Sequence, residues 1–484
     1  APPWRPSSEM KDNEGIPAVD ESFRDSIATV DKQGKRVWVY PKKPSGKWFN
    51  RRVAFGYTLL AFLLVGPFLR IGGEPLLQLD VLGRRFVILG QTFWPQDIHL
   101  FVLGFIASIV FIALFTVAFG RLFCGWACPQ TVFMELVYRR IEYWIEGDWK
   151  QQQALNRRAM DMDKLMRKAA KHVLFFLVAF VIGNTFLGYI IGSERLIQIV
   201  TEPPGQHLGG LAAMFGFSLV FYGVFAFLRE QVCTTVCPYG RLQGVLLDRQ
   251  SVVIAYDRVR GEQRAHFRKG EDRGSVGKGD CIDCKACVHV CPTGIDIRNG
   301  TQLECVNCTA CIDACDHMMG AVGLPKGLIR YASESEIAER KPFRWTTRMK
   351  AYSAVLVVLI GVILTLIVLR SDVETTVLRT PGMLYQSRPD GRISNLYNYK
   401  VVNKTSRDMP IRFVLENVKG SIELVGKEIG LQPAALTQGS LFIILDPSAM
   451  SGMKTKVNIG VYANDRLLEE VSTTFVGPIN TNTP

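Results

Sequence analysis

A multi-domain membrane protein is predicted by three observations: five long apolar windows, two tightly spaced runs of four cysteines, and a C-terminal stretch of alternating apolar and polar residues. The expected architecture has three parts: a five-helix transmembrane bundle (two helix-hairpin repeats plus one span), a bacterial two-[4Fe–4S] ferredoxin-like domain and a C-terminal immunoglobulin-like β-sandwich. Residues 1–45 are expected to be a disordered cytoplasmic N-terminus. Residues 46–250 form the four-span domain, 251–345 the cysteine domain, 346–370 the fifth span and 371–484 the sandwich.

Each apolar window carries about 20 residues with almost no charge, the length that crosses a hydrocarbon core of ~30 Å. The windows fall at 53–69, 100–119, 172–192, 208–227 and 352–369. Ahead of them the chain is rich in Pro, Ser and charge, without helical or strand periodicity and without an apolar signal-peptide core. Trp38, Tyr40, Trp48 and Phe49 are placed where the chain meets the membrane interface.

Basic residues set the orientation. Connections 121–171 and 229–350 carry ten and nineteen Lys or Arg, whereas 70–99 and 193–207 carry three and one. The positive-inside rule then places the N-terminus in the cytoplasm and, after five crossings, the C-terminal domain outside. The net charge of +13 belongs mainly to membrane-flanking loops facing anionic lipid, so a nucleic-acid partner is not expected.

All twelve cysteines lie in the segments assigned to the cytoplasm or its membrane edge, where clustered thiols signify metal or redox work rather than disulfides. Eight form "CIDCKACVHVCP" at 281–292 and "CVNCTACIDAC" at 305–315, each with the C-x2-C-x2-C-x3-C spacing of bacterial iron–sulfur runs. Three thiolates two residues apart wrap three corners of a cube, and the fourth reaches the neighbouring cluster. Cluster one is thus assigned to Cys281, Cys284, Cys287 and Cys315, and cluster two to Cys305, Cys308, Cys311 and Cys291. Zinc fits poorly, because its ligand pairs are usually separated by a longer loop. Asp316 stands where the first run has Pro292, and the fourth cysteine of each run is expected to start a helix.

The other four cysteines occur as "FCGWACPQ" at 123–130 and "VCTTVCPY" at 232–239, each ending an apolar window. If the helix continues through the motif, a spacing of four puts both sulfurs of a pair on one face. Proline after Cys128 and Cys237 suits the first turn of a new helix, whose dipole favours thiolate, with Arg121, Arg229 and Arg241 adding to the field. The segment after Pro129 reads as an amphipathic helix on the membrane surface, with Phe133, Leu136, Val137, Ile141 and Trp144 on its apolar side. Because windows two and four run in the same direction, the hairpins read as parallel repeats. Cys124, Cys128, Cys233 and Cys237 are then expected to converge on one soft site holding copper or a further iron–sulfur centre. His317, Met318 and Met319 are expected to pack beneath cluster two. No C-x-x-C-H haem motif and no nucleotide fingerprint is present.

After the fifth window, "ISNLYNYKVVNKT", "MPIRFVLEN", "SIELVG", "SLFIILDP", "KTKVNIGVYAN" and "EEVSTTFVG" alternate apolar and polar residues between turn formers. About seven strands of this kind fit an immunoglobulin-like sandwich, here without the antibody domain's paired cysteines.

With "CGWACP", "CTTVCP", the two cluster runs, the fifth span and the sandwich in this order, the chain resembles the cytochrome c oxidase accessory proteins of the CcoG/FixG/RdxA family. The resemblance implies a bacterial inner-membrane protein that reduces Cu(II) to Cu(I) for copper-centre assembly of a cbb-type oxidase. It implies copper ions, a copper chaperone or transporter and oxidase assembly factors as partners, alongside membrane lipid and an unidentified cytoplasmic electron donor. Cys124, Cys128, Cys233 and Cys237 would be its metal-handling, catalytic residues. Two other readings are a quinol-linked electron conduit to a partner reductase and a non-catalytic assembly scaffold.

Overall fold

The computed structural model describes residues 29–478 except 31, 32, 34, 82, 406, 427, 428, 433, 434 and 464; most of the N-terminal segment expected to be disordered lies outside this range. Among the described residues, five helices are long and apolar enough to cross a membrane: Lys47–Phe68, Pro95–Phe119, Met162–Ile191, Leu208–Leu228 and Thr347–Val368. The chain divides into two compact units. The first comprises the described residues up to Val65, Phe105–Leu187 and Gln198–Leu359. The second comprises Gly66–Gly104, Gly188–Ile197 and the chain from Ile360 onward.

In the first unit, helix α1 (Lys47–Val65) begins where Asp313 accepts hydrogen bonds from the backbone N–H of Trp48 (3.1 Å) and Phe49 (2.7 Å). These bonds satisfy donors that a helix start leaves open. Helix α2 (Ile98–Phe119) stops at Gly120, whose φ of 55° is the left-handed conformation that glycine adopts freely. Two short helices follow, α3 (Leu122–Trp126) and α4 (Pro129–Phe133). A π-helical turn, Met134–Tyr138, leads into α5 (Arg139–Ile145).

The segment 129–145 departs from the amphipathic surface helix expected. Phe133 and Leu136 are buried, but so are Arg139 and Glu142, whereas Trp144 is exposed. The charged side is buried because its partners come from distant sequence. Glu142 takes a two-pronged hydrogen bond from Arg229 (2.8 Å each), and Arg139 pairs with Glu135 (3.1 Å) and Glu230 (3.6 Å). A second π-turn, Val224–Leu228, ends the fourth span, and Tyr138 stacks on Phe225 at 4.5 Å between the two π-turns.

Residues 35–45 correct the disorder expected there. Lys42 donates its backbone N–H to His289, Lys43 to Asp148, and Tyr143 Oη bonds the Pro41 carbonyl.

The cysteine domain is closed by an antiparallel strand pair, β1 (Val253–Tyr256) with β2 (Ile329–Ala332), in the register Val253↔Ala332 to Tyr256↔Ile329. Both cluster runs lie between these strands. In the first run Cys291 follows the short helix α6 (Ala286–His289), ahead of Pro292; in the second Cys315 sits inside α7 (Ala310–Ala321). The fourth cysteine therefore does not start a helix in either run. Asp316, unlike proline, keeps its N–H and allows α7 to continue.

In the second unit, residues 371–478 form the sandwich. Strands β3 (Val373–Arg379), β4 (Gln386–Ser387), β5 (Ile393–Asn403), β6 (Met409–Leu415), β7 (Gly420–Leu424), β8 (Ile429–Leu431), β9 (Leu436–Leu445), β10 (Lys454–Ala463) and β11 (Arg466–Val476) make two sheets. One has the order β7-β9-β5-β3 with β4 beside β5, the other β8-β6-β10-β11. Val401, Leu441, Ile443, Val457, Ile459 and Phe475 fill the space between them with no exposure. In place of an inter-sheet disulfide, Tyr397 Oη and Asn395 Nδ2 of β5 bond the Thr474 and Val476 carbonyls of β11 (2.9 and 2.8 Å). A three-stranded antiparallel sheet, Leu77–Asp80, Arg85–Ile88 and Gln91–Phe93, fills the connection after the first span. Close by in sequence, Asp97 is buried and pairs with Lys404 (2.9 Å) and Arg370 (2.7 Å).

Candidate metal centres

The cluster runs share one backbone. In the first, Asp283 (φ 52°) and Lys285 (φ 55°) flank Cys284; in the second, Asn307 (φ 53°) and Thr309 (φ 70°) flank Cys308. A left-handed β-branched residue such as Thr309 is costly, and the recurrence of positive φ at the matching Lys285 marks a functional constraint. These turns coil the chain so that successive thiols point inward.

The thiols line two cavities. One, enclosing ≈ 360 Å³ between its atoms, is bordered by Cys281, Cys284, Cys287 and Cys315. The other, of ≈ 320 Å³, is bordered by Cys291, Cys305, Cys308 and Cys311, with Cys287 between the two. Each cavity thus takes three sulfurs from one run and the fourth from the other. Met318 and Met319 line the first cavity, not the second as expected, and His317 is exposed. His289 stacks on Trp149 at 4.9 Å.

Burial pushes the Cys287, Cys305 and Cys315 thiols up to about 12 and Cys308 to about 11. Such thiols give up their protons to a soft cation that takes the proton's place, which is the chemistry of an iron–sulfur ligand set. Four sulfurs around each of two cavities fit two [4Fe–4S] clusters.

The remaining cysteines occupy matching places in the two repeats. Cys128 (φ −63°, ψ 124°) and Cys237 (φ −70°, ψ 113°) are both extended N-caps, followed by proline at the first helical position. Each span ends at a left-handed residue, Gly120 or Arg229, four positions ahead of Cys124 or Cys233. The helices do not continue through the motifs as expected. The pairs meet instead through reciprocal braces. Gln130, two residues after Cys128, donates to the Arg229 carbonyl (3.2 Å). Tyr239, two residues after Cys237, bonds Thr116 Oγ1 (3.0 Å), one turn before Gly120.

The four thiols come close enough to feel one another. Cys124 and Cys237 raise the Cys128 thiol, after burial, and burial followed by Cys128 and Cys124 pushes Cys233 up to about 12. At Cys128 the helix N-terminus expected to favour thiolate is therefore outweighed by burial. Gln243, fully buried on helix α8 (Pro238–Leu246), sits 3.5 Å from Cys124 Sγ through Nε2. The side chain of Arg241 lies outside the described residues.

This group of thiols abuts the second cluster cavity. A Cβ on Gly125 would lie 2.3 Å from the Val306 carbonyl oxygen and 2.7 Å from that of Asn307, the two residues between Cys305 and Cys308. The backbones touch because position 125 has no side chain. Trp126 Nε1 reaches Tyr331 Oη (3.1 Å), which bonds the Asn307 carbonyl (3.3 Å).

Two buried arginines, of which the sequence pointed only to Arg121, stand here without a carboxylate partner among the described residues. Arg52 donates through Nε to the Gly125 carbonyl (2.6 Å) and leaves Nη2 unsatisfied. Arg121 donates to the Leu303 carbonyl and leaves Nε unsatisfied. Arg52 acts to lower the Cys308 thiol, and Arg121 those of Cys233 and Cys305. An unpaired buried guanidinium is costly unless an anion faces it, and cysteine-ligated centres are anionic.

Fold and site together define a membrane polyferredoxin, in which a spanning bundle presents cysteine pairs to a two-cluster domain. Residues 228–334 match a 4Fe–4S dicluster domain, 100–150 a 4Fe–4S binding domain, and 363–478 the IG-like fold at the C-terminus of FixG, described as a putative oxidoreductase. The chain is 36% identical over 415 residues to protein RdxB of Cereibacter sphaeroides, covering 80% of this chain and 84% of that one. It is 34% identical over 414 residues to protein RdxA of the same organism (80% and 83%). To the nitrogen fixation protein FixG of Rhizobium meliloti it is 30% identical over 461 residues (85% and 87%). The chain belongs to the FixG/RdxA family of membrane iron–sulfur proteins.

Proposed function

We propose that this membrane iron–sulfur protein is a cupric reductase, passing electrons from its two four-iron clusters to Cu(II) held at or beside Cys124, Cys128, Cys233 and Cys237. The observation that supports this reading most directly is the backbone contact between Gly125 and residues 306–307, which puts the membrane thiols beside cluster two. Thiolate sulfur holds Cu(I) better than Cu(II), so such a site favours the reduced product. Arg52 and Arg121 stabilise added negative charge at their neighbours, which favours electron arrival there. The proposed setting is a bacterial inner membrane, with the cysteine domain cytoplasmic and the sandwich periplasmic. There the product would be handed to a copper chaperone or transporter for assembly of a cbb-type oxidase.

The test mixes purified protein carrying chemically reduced clusters with Cu(II) and a Cu(I) chelator. Cluster reoxidation matched by Cu(I) is expected. The double substitution of Cys124 and Cys233 by serine should slow it and leave the cubane signals intact; an unchanged rate rejects the thiol site as the place of reduction. One observation favours a different occupant: the 4Fe–4S binding domain match over 100–150 takes in Cys124 and Cys128. On that reading the four thiols hold a further iron–sulfur centre, and an iron count above that of two cubanes decides for it.

A further inference from the structure

On the side of Arg229 away from the clusters lies a cavity that neither cluster chemistry nor copper accounts for. It encloses ≈ 870 Å³, open to solvent included, and is lined by Trp38, Tyr40, Glu142, Glu146, Asn156, Lys168, Lys171, His172, Ala226, Phe227 and Arg229. The ends of the third and fourth spans form its membrane side. There the π-turn Val224–Leu228 displaces Ala226 and Phe227 from regular helical positions, as π-turns at functional sites do.

We infer that this cavity binds the headgroup of a membrane quinone and its quinol. Three features select that class. First, the cavity offers donors and acceptors together. Tyr40 Oη accepts from Asn156 (2.7 Å) and keeps its own proton to give, while Glu146 is an acceptor 3% exposed. His172 Nδ1 is tied to Tyr222 Oη (2.9 Å), which leaves Nε2 to give or take a proton according to tautomer. A phosphate headgroup only accepts and would leave the carboxylates facing it, whereas a quinone accepts and a quinol donates. Second, the cations already have partners: Arg229 with Glu142, Lys168 with Glu146 (2.8 Å), and Lys171 with Glu146 (3.0 Å) and Glu142 (3.7 Å). Arg229 also reaches Glu230 (3.7 Å), so the cations are spent on carboxylates and suit a neutral headgroup better than an anion. Third, Phe227, Val173 and Leu177 present exposed apolar surface at these span ends, where a bilayer-embedded tail would lie.

The cavity is backed by the redox site. Arg229 lines it and also lines a smaller cavity shared with Gln130, Cys233, Pro292 and Val306. Oxidation of one quinol there breaks two O–H bonds and releases two protons, the first to His172 Nε2 and the second to solvent past Glu146. Its two electrons leave one at a time, each reducing one oxidised four-iron cluster. The inference stands apart from the copper reading, since it concerns the electron source and holds whichever acceptor follows.

Binding is read on the full-length protein in nanodiscs with decylubiquinone by tryptophan fluorescence quenching, and with an azidoquinone by photolabelling. Labelling is expected in peptides carrying residues 38–40, 168–172 or 226–229. His172→Ala and Tyr40→Phe should each weaken decylubiquinone binding by about tenfold, the worth of one hydrogen bond, with iron content unchanged. Cys124→Ser should leave quinone binding intact while slowing copper reduction, so failure of either reading shows separately. Label confined to other peptides overturns the inference. So does binding indifferent to both substitutions, or displacement of the quinone by phosphatidylglycerol, which would mark an anionic-lipid site.

Discussion

Replacing Gly125 with alanine tests whether contact between the membrane motif and the cluster loop is part of the electron path. The new Cβ would stand 2.3 Å from the Val306 carbonyl oxygen and 2.7 Å from that of Asn307. A carbon and a carbonyl oxygen rest no closer than about 3.3 Å, so the backbones must part by about 1 Å. Neither can yield cheaply, since Val306 is 5% and Asn307 1% exposed, and Arg52 holds the Gly125 carbonyl at 2.6 Å. Overpacking of this kind costs about 1–3 kcal/mol, or a Tm loss of roughly 2–4 °C per kcal/mol in a unit of this size. No ligand is removed, so iron content should hold while reoxidation of reduced clusters by Cu(II) slows. Gly216→Ala, where a Cβ meets nothing within 4 Å, is the control and should lose neither stability nor rate. A Gly125→Ala protein with lowered Tm but an unchanged reoxidation rate refutes the contact as the route. Unchanged values of both refute the close approach itself.

Arg52→Met and Arg121→Met each remove a buried cation facing cysteine-ligated centres, so the affected centre should become harder to reduce. A redox titration followed by electron paramagnetic resonance reads this as a more negative midpoint, and identical midpoints in both variants reject the counter-ion role. Asp97→Asn leaves Arg370 (side-chain exposure 12%) without a carboxylate among the described residues, while Lys404 (6%) keeps Glu374 at 2.8 Å. Breaking a buried pair costs about 3–5 kcal/mol, read as a lower unfolding transition of the sandwich unit. Acid should weaken the first cluster loop. Burial raises the Asp296 carboxyl, but hydrogen bonds from Arg298 outweigh it, and Arg298 likewise depresses Asp283 beside Cys284. Both groups are held below their usual value, so their contribution is whole above about pH 4 and fades as pH falls below that. Cluster absorbance followed down an acid titration should bleach at higher pH in Asp296→Asn than in the parent protein.

The parts visible in the sequence are those set by local spacing. Eight cysteines at two- and three-residue intervals define the cluster runs, five windows define the spans, and six quoted strands overlie β5, β6, β7, β9, β10 and β11. What escaped depends on residues remote in sequence. The charged side of 129–145 reads as solvent-facing until Arg229, Glu230 and Lys171 are seen to cover it. Residues 35–45 carry no periodicity, because their order comes from hydrogen bonds to Asp148, His289 and Tyr143. The sheet at 77–93 consists of three- and four-residue strands, too short for alternation to register. Arg52 looks like an ordinary basic flank of a span, and only the fold shows it pointing inward at Gly125.

The two repeats share the backbone of the second cysteine and its following proline, and differ in what surrounds them. In the first repeat the chain leaves the membrane at Gly120, where the left-handed turn is free of strain, and the motif's own glycine presses on cluster two. In the second repeat the corresponding position is Arg229, whose positive φ (φ 53°, ψ −125°) costs a non-glycine residue about 1–3 kcal/mol. The two-pronged bond to buried Glu142 offsets that cost and fixes the guanidinium in place. Glycine would make the turn more cheaply but would open the wall between the lipid-side cavity and the smaller one that Cys233 lines. The first motif thus meets the cluster loop through Gly125, and the second through the cavity that Cys233 shares with Pro292 and Val306. Gln130 of the first repeat donates to the Arg229 carbonyl of the second (3.2 Å) and ties the two motifs together at this point.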